Sequence, residues 1–151
     1  MIYMIRNSNS RKNLKCLKIF LFVVFLFTCS NSVSQTYIDS LTNILSQTTD
    51  IEKQFELNIS LSELLLSEST SKSASYKNKA LELANKMNDT SKLIKAYTCK
   101  GKYLWYLTDY KKLSEIQDTI YKLSKKTNNK SGLAAYYHLT GLQLIDEDKP
   151  K

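Results

Sequence analysis

LANKMNDTSKLIKAYTCKGKYL, residues 83–104, returns forty positions later as LSKKTNNKSGLAAYYHLTGLQL, residues 123–144. Eight of the 22 positions are identical: Leu83/Leu123, Lys86/Lys126, Asn88/Asn128, Ser91/Ser131, Leu93/Leu133, Tyr97/Tyr137, Gly101/Gly141 and Leu104/Leu144. Chance would give about one or two. A period of 20–50 residues containing two helices is the mark of a stacked helical repeat.

Working outward, the chain reads as helical from residue 36 onward. Ile38, Leu41, Ile44 and Leu45 follow helical spacing. The pattern predicts further helices over about 51–66, 70–88, 91–107, 110–127 and 131–145. Thr49-Asp50-Ile51-Glu52 has the form of a capping box, in which Thr49 and Glu52 satisfy each other's free amides. The serines from Ser67 to Ser75 read as a flexible joint and helix start. No stretch sustains a period of two, and Gly (3) and Pro (1) are too scarce for the corners of an all-β fold. The fold class is therefore all-α: an α-solenoid of antiparallel helix pairs, about two and a half repeats long.

The details resemble the tetratricopeptide repeat. Its first helix carries an aromatic four residues before a Gly and a Leu three after. Here those are Tyr97, Gly101 and Leu104, then Tyr137, Gly141 and Leu144. Thr108-Asp109-Tyr110 is similar to the family's Gly-Asp-Tyr turn, and Ala80-Leu81-Glu82-Leu83-Ala84 to the end of a second helix. The period of 40 resembles the long-helix variety rather than the usual 34. Leu113 stands where the family has Ala, Gln117 where it has an aromatic, and the closing Pro is missing. The Gly is expected to let two helices of one unit approach closely.

At 100° per residue, Leu93, Tyr97, Gly101 and Leu104 share one stripe of the 91–107 helix, the expected buried side. Lys95, Thr98, Lys102 and Trp105 cluster about 120° away. In the family such positions line the concave face, so the resemblance implies a peptide- or protein-binding groove of Lys95, Thr98, Lys102 and Trp105, joined by His138. Ala135, Leu142 and Ile145 match them in the last unit. Lys95 and Lys102 would attract an acidic segment, and Trp105 would give apolar contact. Most of the nine Tyr after residue 34 read as packing residues of the repeat, and a few as part of that sticky groove.

The 131–145 helix has no second helix after it in the sequence, which leaves Leu133, Tyr137, Leu144 and Ile145 without a cover. Three explanations compete: a truncated gene product, pairing of that helix with another copy, or the leading helix folding over it. Truncation is the favoured one. Self-association through 131–145 follows from the second.

Residues 1–34 read as a secretory signal peptide. Five basic groups and no acid occur there, the nine-residue apolar run Ile19–Phe27 follows, and Ser32 and Ser34 precede a cut before Gln35. Extended to Cys29 the run rises only about 16 Å as a helix, against a hydrocarbon core of about 30 Å. The alternatives are an uncleaved membrane anchor over 19–29, a buried helix, and a lipoprotein acylated at Cys29, where bulky Phe27 fits a lipobox poorly. The domains are a leader (1–34), a leading helix (35–48) and a repeat domain (49–151). The resemblance and the leader together imply an exported bacterial protein, periplasmic or secreted.

The net charge of +8 does not point to nucleic acid. Beyond residue 34 there are 17 Lys, no Arg and 14 acids, a net of +3 with both signs interleaved. After cleavage one Cys (Cys99) and one His (His138) remain, so no disulfide, metal set or Cys/His nucleophile is expected. Asp146-Glu147-Asp148 reads as a solvated end. The three Gly are isolated, so no phosphate-cradling loop is expected, and neither is a cofactor. The expected function is a non-catalytic interaction module. The alternative is a fragment similar to the extracytoplasmic part of bacterial sensor histidine kinases and helix-turn-helix regulators, lacking an output domain.

Overall fold

A computed structural model describes residues 35–148. The leader 1–34, with the proposed cut site and Cys29, lies outside the described residues, as do 149–151. Contacts divide the chain into residues 1–40 and 41–151. Every described element is helical: α1 over 35–47, α2 Ile51–Leu64, α3 Thr70–Met87, α4 Thr90–Tyr106, α5 Tyr110–Lys126 and α6 Lys130–Glu147. The described residues contain no strand.

Each of α2 to α6 starts on a residue suited to the task. Asp50, Ser69, Asp89, Asp109 and Asn129 are the N-caps, and each side chain accepts a backbone N–H of the first turn. The capping box at Thr49 is therefore corrected by one residue. Asp50 caps α2, taking the amides of Glu52 and Lys53 at 2.9 and 3.3 Å, and the Glu52 side chain is drawn away to Lys92. A carboxylate two residues from the amide does the work alone.

The forty-residue period reappears in the joints. Asn88 and Asn128 both adopt left-handed backbone, with φ of 52° and 50°, a conformation Asn tolerates because its short polar side chain bonds locally. The residue after each caps the next helix. The third such joint holds Thr108 at φ 54°. A β-branched residue in that region is strained.

α2 packs on α3, α3 on α4, α4 on α5 and α5 on α6, and α4 also touches α2 and α6. Two apolar clusters result. Phe55, Ile59, Ala80, Leu83, Ala84, Ala96 and Cys99 form the first. Ile94, Leu104, Leu113, Ile116, Ile120 and Leu139 form the second. α4 contributes to both, which corrects the single stripe expected for it. Ile94, Ala96, Cys99, Gly101 and Leu104 are buried, whereas Leu93 and Tyr97 are half-buried at the edges of different clusters.

The serine joint is also corrected at one position. Ser69 caps α3, but Ser73 is buried and locks α3 to α2. Its hydroxyl donates to the Ser62 carbonyl at 2.7 Å, and the Ser62 hydroxyl donates to the Ser73 carbonyl at 3.0 Å. Such reciprocal bonds satisfy groups that would be costly to bury alone.

The glycines do different jobs. A Cβ on Gly101 would meet Leu139 of α6 at 2.6 Å and Leu113 of α5 only at 3.6 Å. The close approach it permits is thus to α6, not to the following helix α5. Gly141, its counterpart forty residues on, has nothing within 4 Å, so the two equivalent glycines stand in dissimilar surroundings. Gly132 is tighter still: a Cβ there would lie 2.1 Å from Ser124 Oγ and 2.9 Å from Ile94 Cγ2.

Opposite outcomes are expected for two chemically identical changes. Gly132→Ala should destabilise by about 1–2 kcal/mol, overpacking outweighing the helix propensity gained. Gly141→Ala should stabilise by up to ~1 kcal/mol, since only propensity acts. Urea unfolding at low protein concentration reads both. Thr108→Asn, which copies the other two joints, should add about 1 kcal/mol in the same assay.

Candidate functional site

α4 and α6 lie side by side at Ile94 and Gly132. Between them lies a groove of about 410 Å³, lined by Ser91, Ile94, Lys95, Thr98, Asn129, Ser131, Gly132 and Ala135. Its floor is apolar and its walls carry hydroxyls and an amide. Asn129 Nδ2 donates to Ser91 Oγ at 3.3 Å across the groove end. Thr98 Oγ1 donates back to the Ile94 carbonyl at 2.9 Å. The absence of a Cβ at Gly132 lets α6 approach both Ser124 of α5 and Ile94 of α4 here.

Of the expected site residues, the structure brings Lys95 and Thr98 together with Ala135. It does not bring the others to the same place. Lys102 reaches Glu63 of α2 at 2.7 Å. Trp105 is half-buried, its indole N–H donating to Asp146 Oδ2 at 2.6 Å. Asp146 is thus tied into the fold rather than being a solvated end. His138 is exposed and does not line the groove. Sequence reasoning missed Ser91, Asn129, Ser131 and Gly132. Ser91/Ser131 was present as a signal, one of the eight repeated identities. Gly132 falls where the earlier unit has Lys92, so the repeat gave no hint of it.

Three of the four lysines of α4 are held in ion pairs. Lys92 pairs with Glu52 and Glu56, Lys95 with Glu56, and Lys102 with Glu63. Partners 36 to 40 residues apart in sequence thereby form a ladder of opposite charges between α2 and α4. Partial burial pushes the Glu56 carboxyl up, but hydrogen bonds and charge from Lys95 and Lys92 outweigh it and hold its pKa below the ordinary 4.5. The Glu52 hydrogen bond, aided by Glu56, outweighs burial and raises Lys92 above 10.5.

Two further titratable groups are buried. Cys99 donates to Ser62 Oγ at 3.5 Å, and desolvation pushes its thiol pKa up, which disfavours the reactive thiolate. Lys77 is buried with its ammonium 4.3 Å from the centre of the Tyr103 ring, and desolvation lowers its pKa. In the core, Gln117 Nε2 and Ser124 Oγ have no hydrogen-bond partner among the described residues. Among the described residues no three His, Cys, Asp or Glu come together as a metal set, and no helix is long and apolar enough to cross a membrane. Comparison with protein-family models, characterised proteins and solved structures finds no match.

Ion-pair loss sets the expected pH behaviour. The depressed Glu56 contributes stability above its ordinary 4.5 that disappears as pH falls through its lowered value. The raised Lys92 contributes fully below 10.5 and is lost as pH rises further. Because these side chains are partly exposed, Glu56→Gln should cost only about 0.5–1 kcal/mol at neutral pH. It should also flatten the acid limb of a thermal-stability profile measured from pH 3 to 6.

Proposed function

We propose that this chain is an exported, non-catalytic interaction module of the tetratricopeptide type. On this reading α2–α3 and α4–α5 are successive repeats, α6 opens a third, and the helices stack as an α-solenoid. Support comes from the forty-residue period shared by the joints at Asn88 and Asn128. The contacts of α4 with both α2 and α6 are those of consecutive first helices. Export rests on the basic residues, the apolar run and the small residues of 1–34.

The single observation that carries the functional reading is the groove between α4 and α6. Its mixture of an apolar floor with Ser91, Thr98, Asn129 and Ser131 suits an extended peptide, whose main chain presents donors and acceptors in alternation. Lys95 at the rim is already paired with Glu56. Together they offer an incoming segment both charges, with no preference for an acidic one. Recognition therefore rests on main-chain hydrogen bonding and small side chains rather than on charge.

Selection of a displayed random-peptide library against the full chain should yield extended peptides. Ala135→Trp, which fills the groove, should weaken their binding at least tenfold while helicity is kept. Undiminished binding to Ala135→Trp would remove the groove assignment.

A further inference from the structure

The face of α6 turned away from α4 and α5 carries a pattern of its own. At 100° per residue, Lys130, Ala134, Tyr137, Gly141, Leu144 and Asp148 fall within about 80° of one another, spaced 4, 3, 4, 3 and 4 residues apart. That spacing is a coiled-coil seam. Lys130, Ala134, Tyr137, Leu144 and Asp148 are exposed, and Gly141 faces open space. Tyr137 is 63% and Leu144 54% accessible, with Ile145 beside them at 62%. Leu139, on the opposite side of the helix, is fully buried.

We infer that this stripe is the contact surface for α6 of a second copy, packed antiparallel about a two-fold axis at the level of Leu139. In that one register Lys130 faces Asp148 of the other copy, Ala134 faces Leu144, and Tyr137 faces Gly141. A base meets an acid and each large side chain meets a small one, twice over by symmetry. A parallel pairing would set Lys130 on Lys130, Tyr137 on Tyr137 and Asp148 on Asp148.

Helix charge favours the same arrangement. α6 begins with Lys130, has no acid in its first turn and no base in its last, and ends in Asp146, Glu147 and Asp148. Both ends oppose its own dipole. An antiparallel neighbour brings acids to the positive end and a lysine to the negative end. The stripe buries on the order of 400 Å² per copy, about half the ~800 Å² per partner of a standard stable interface. The dimer is therefore reversible and depends on concentration. It uses the side of α6 opposite the groove and does not rest on the peptide-binding reading.

Disulfide trapping in the full chain tests the register, with Cys16 and Cys29 changed to Ser so that buried Cys99 is the one native thiol left. Ala134→Cys and Leu144→Cys, each oxidised alone, should stay uncrosslinked, because like thiols lie ten residues, about 15 Å, apart along the pair. Produced together, the two variants should give a disulfide-linked dimer. In sedimentation, Lys130→Glu or Asp148→Lys alone should raise the dimer dissociation constant about tenfold, and the double variant should restore it. Self-crosslinking of Ala134→Cys, no crosslink in the mixture, no rescue by the double charge reversal, or a parent chain that stays monomeric into the millimolar range would each overturn the inference.

Discussion

Helix α4 has to be buried on two sides at once, and the rest of the structure depends on that constraint. Ala96 and Cys99 enter the cluster built with α2 and α3, while Ile94 and Leu104 enter the one built with α5 and α6. No single apolar stripe can serve both, so the helix uses small residues where neighbours crowd it. Gly101 admits Leu139, Ala96 is almost wholly buried, and the Cys99 thiol rests on Ser62. A larger side chain at any of these points would push one neighbour off to keep the other.

What remains of the α4 surface is narrow, and it is used with the same economy. Lys92, Lys95 and Lys102 bridge back to α2, so three charges that look available for a ligand are spent on holding one helix against another. Desolvation of such pairs is modest because they lie near the surface, and their worth is correspondingly small. Their value is in register: three rungs with a nearly constant sequence interval fix how far α4 slides along α2. The groove follows from that placement. It lies between α4 and α6 beside Gly132, a residue with no side chain, and takes in only Lys95 and Thr98 of the polar α4 residues expected to gather there.

α6 is the mirror case. Its inner side is fixed by Leu139 and Gly132 and by the bond from Trp105 to Asp146. Its outer side repeats positions that α4 covers, exposed Tyr137 for half-buried Tyr97 and exposed Leu144 for buried Leu104, with nothing described on top of them. The same leucine at the same helical position is thus core in one unit and surface in the next. Position in the stack, not residue type, decides which.

The helices, their polar joints and the forty-residue interval were legible in the amino-acid order, because they depend on interactions within a few turns of one chain, although the cap of α2 fell on Asp50 rather than Thr49. Periodicity places apolar residues on a face, and Asp, Ser or Asn before that face ends the preceding joint. The exposure of Tyr137, Leu144 and Ile145 was expected as well, and the structure leaves all three accessible. The pairing of Lys102 with Glu63, the bond from Trp105 to Asp146 and the position of His138 outside the groove were not. Each depends on the rotation of one helix about its axis relative to another 36 to 41 residues away, and a turn of a few tens of degrees exchanges a groove residue for a bridging one. That rotation is set by volume, at Gly101, Gly132 and Leu139 together, and volume is shared among helices that only the tertiary structure brings side by side.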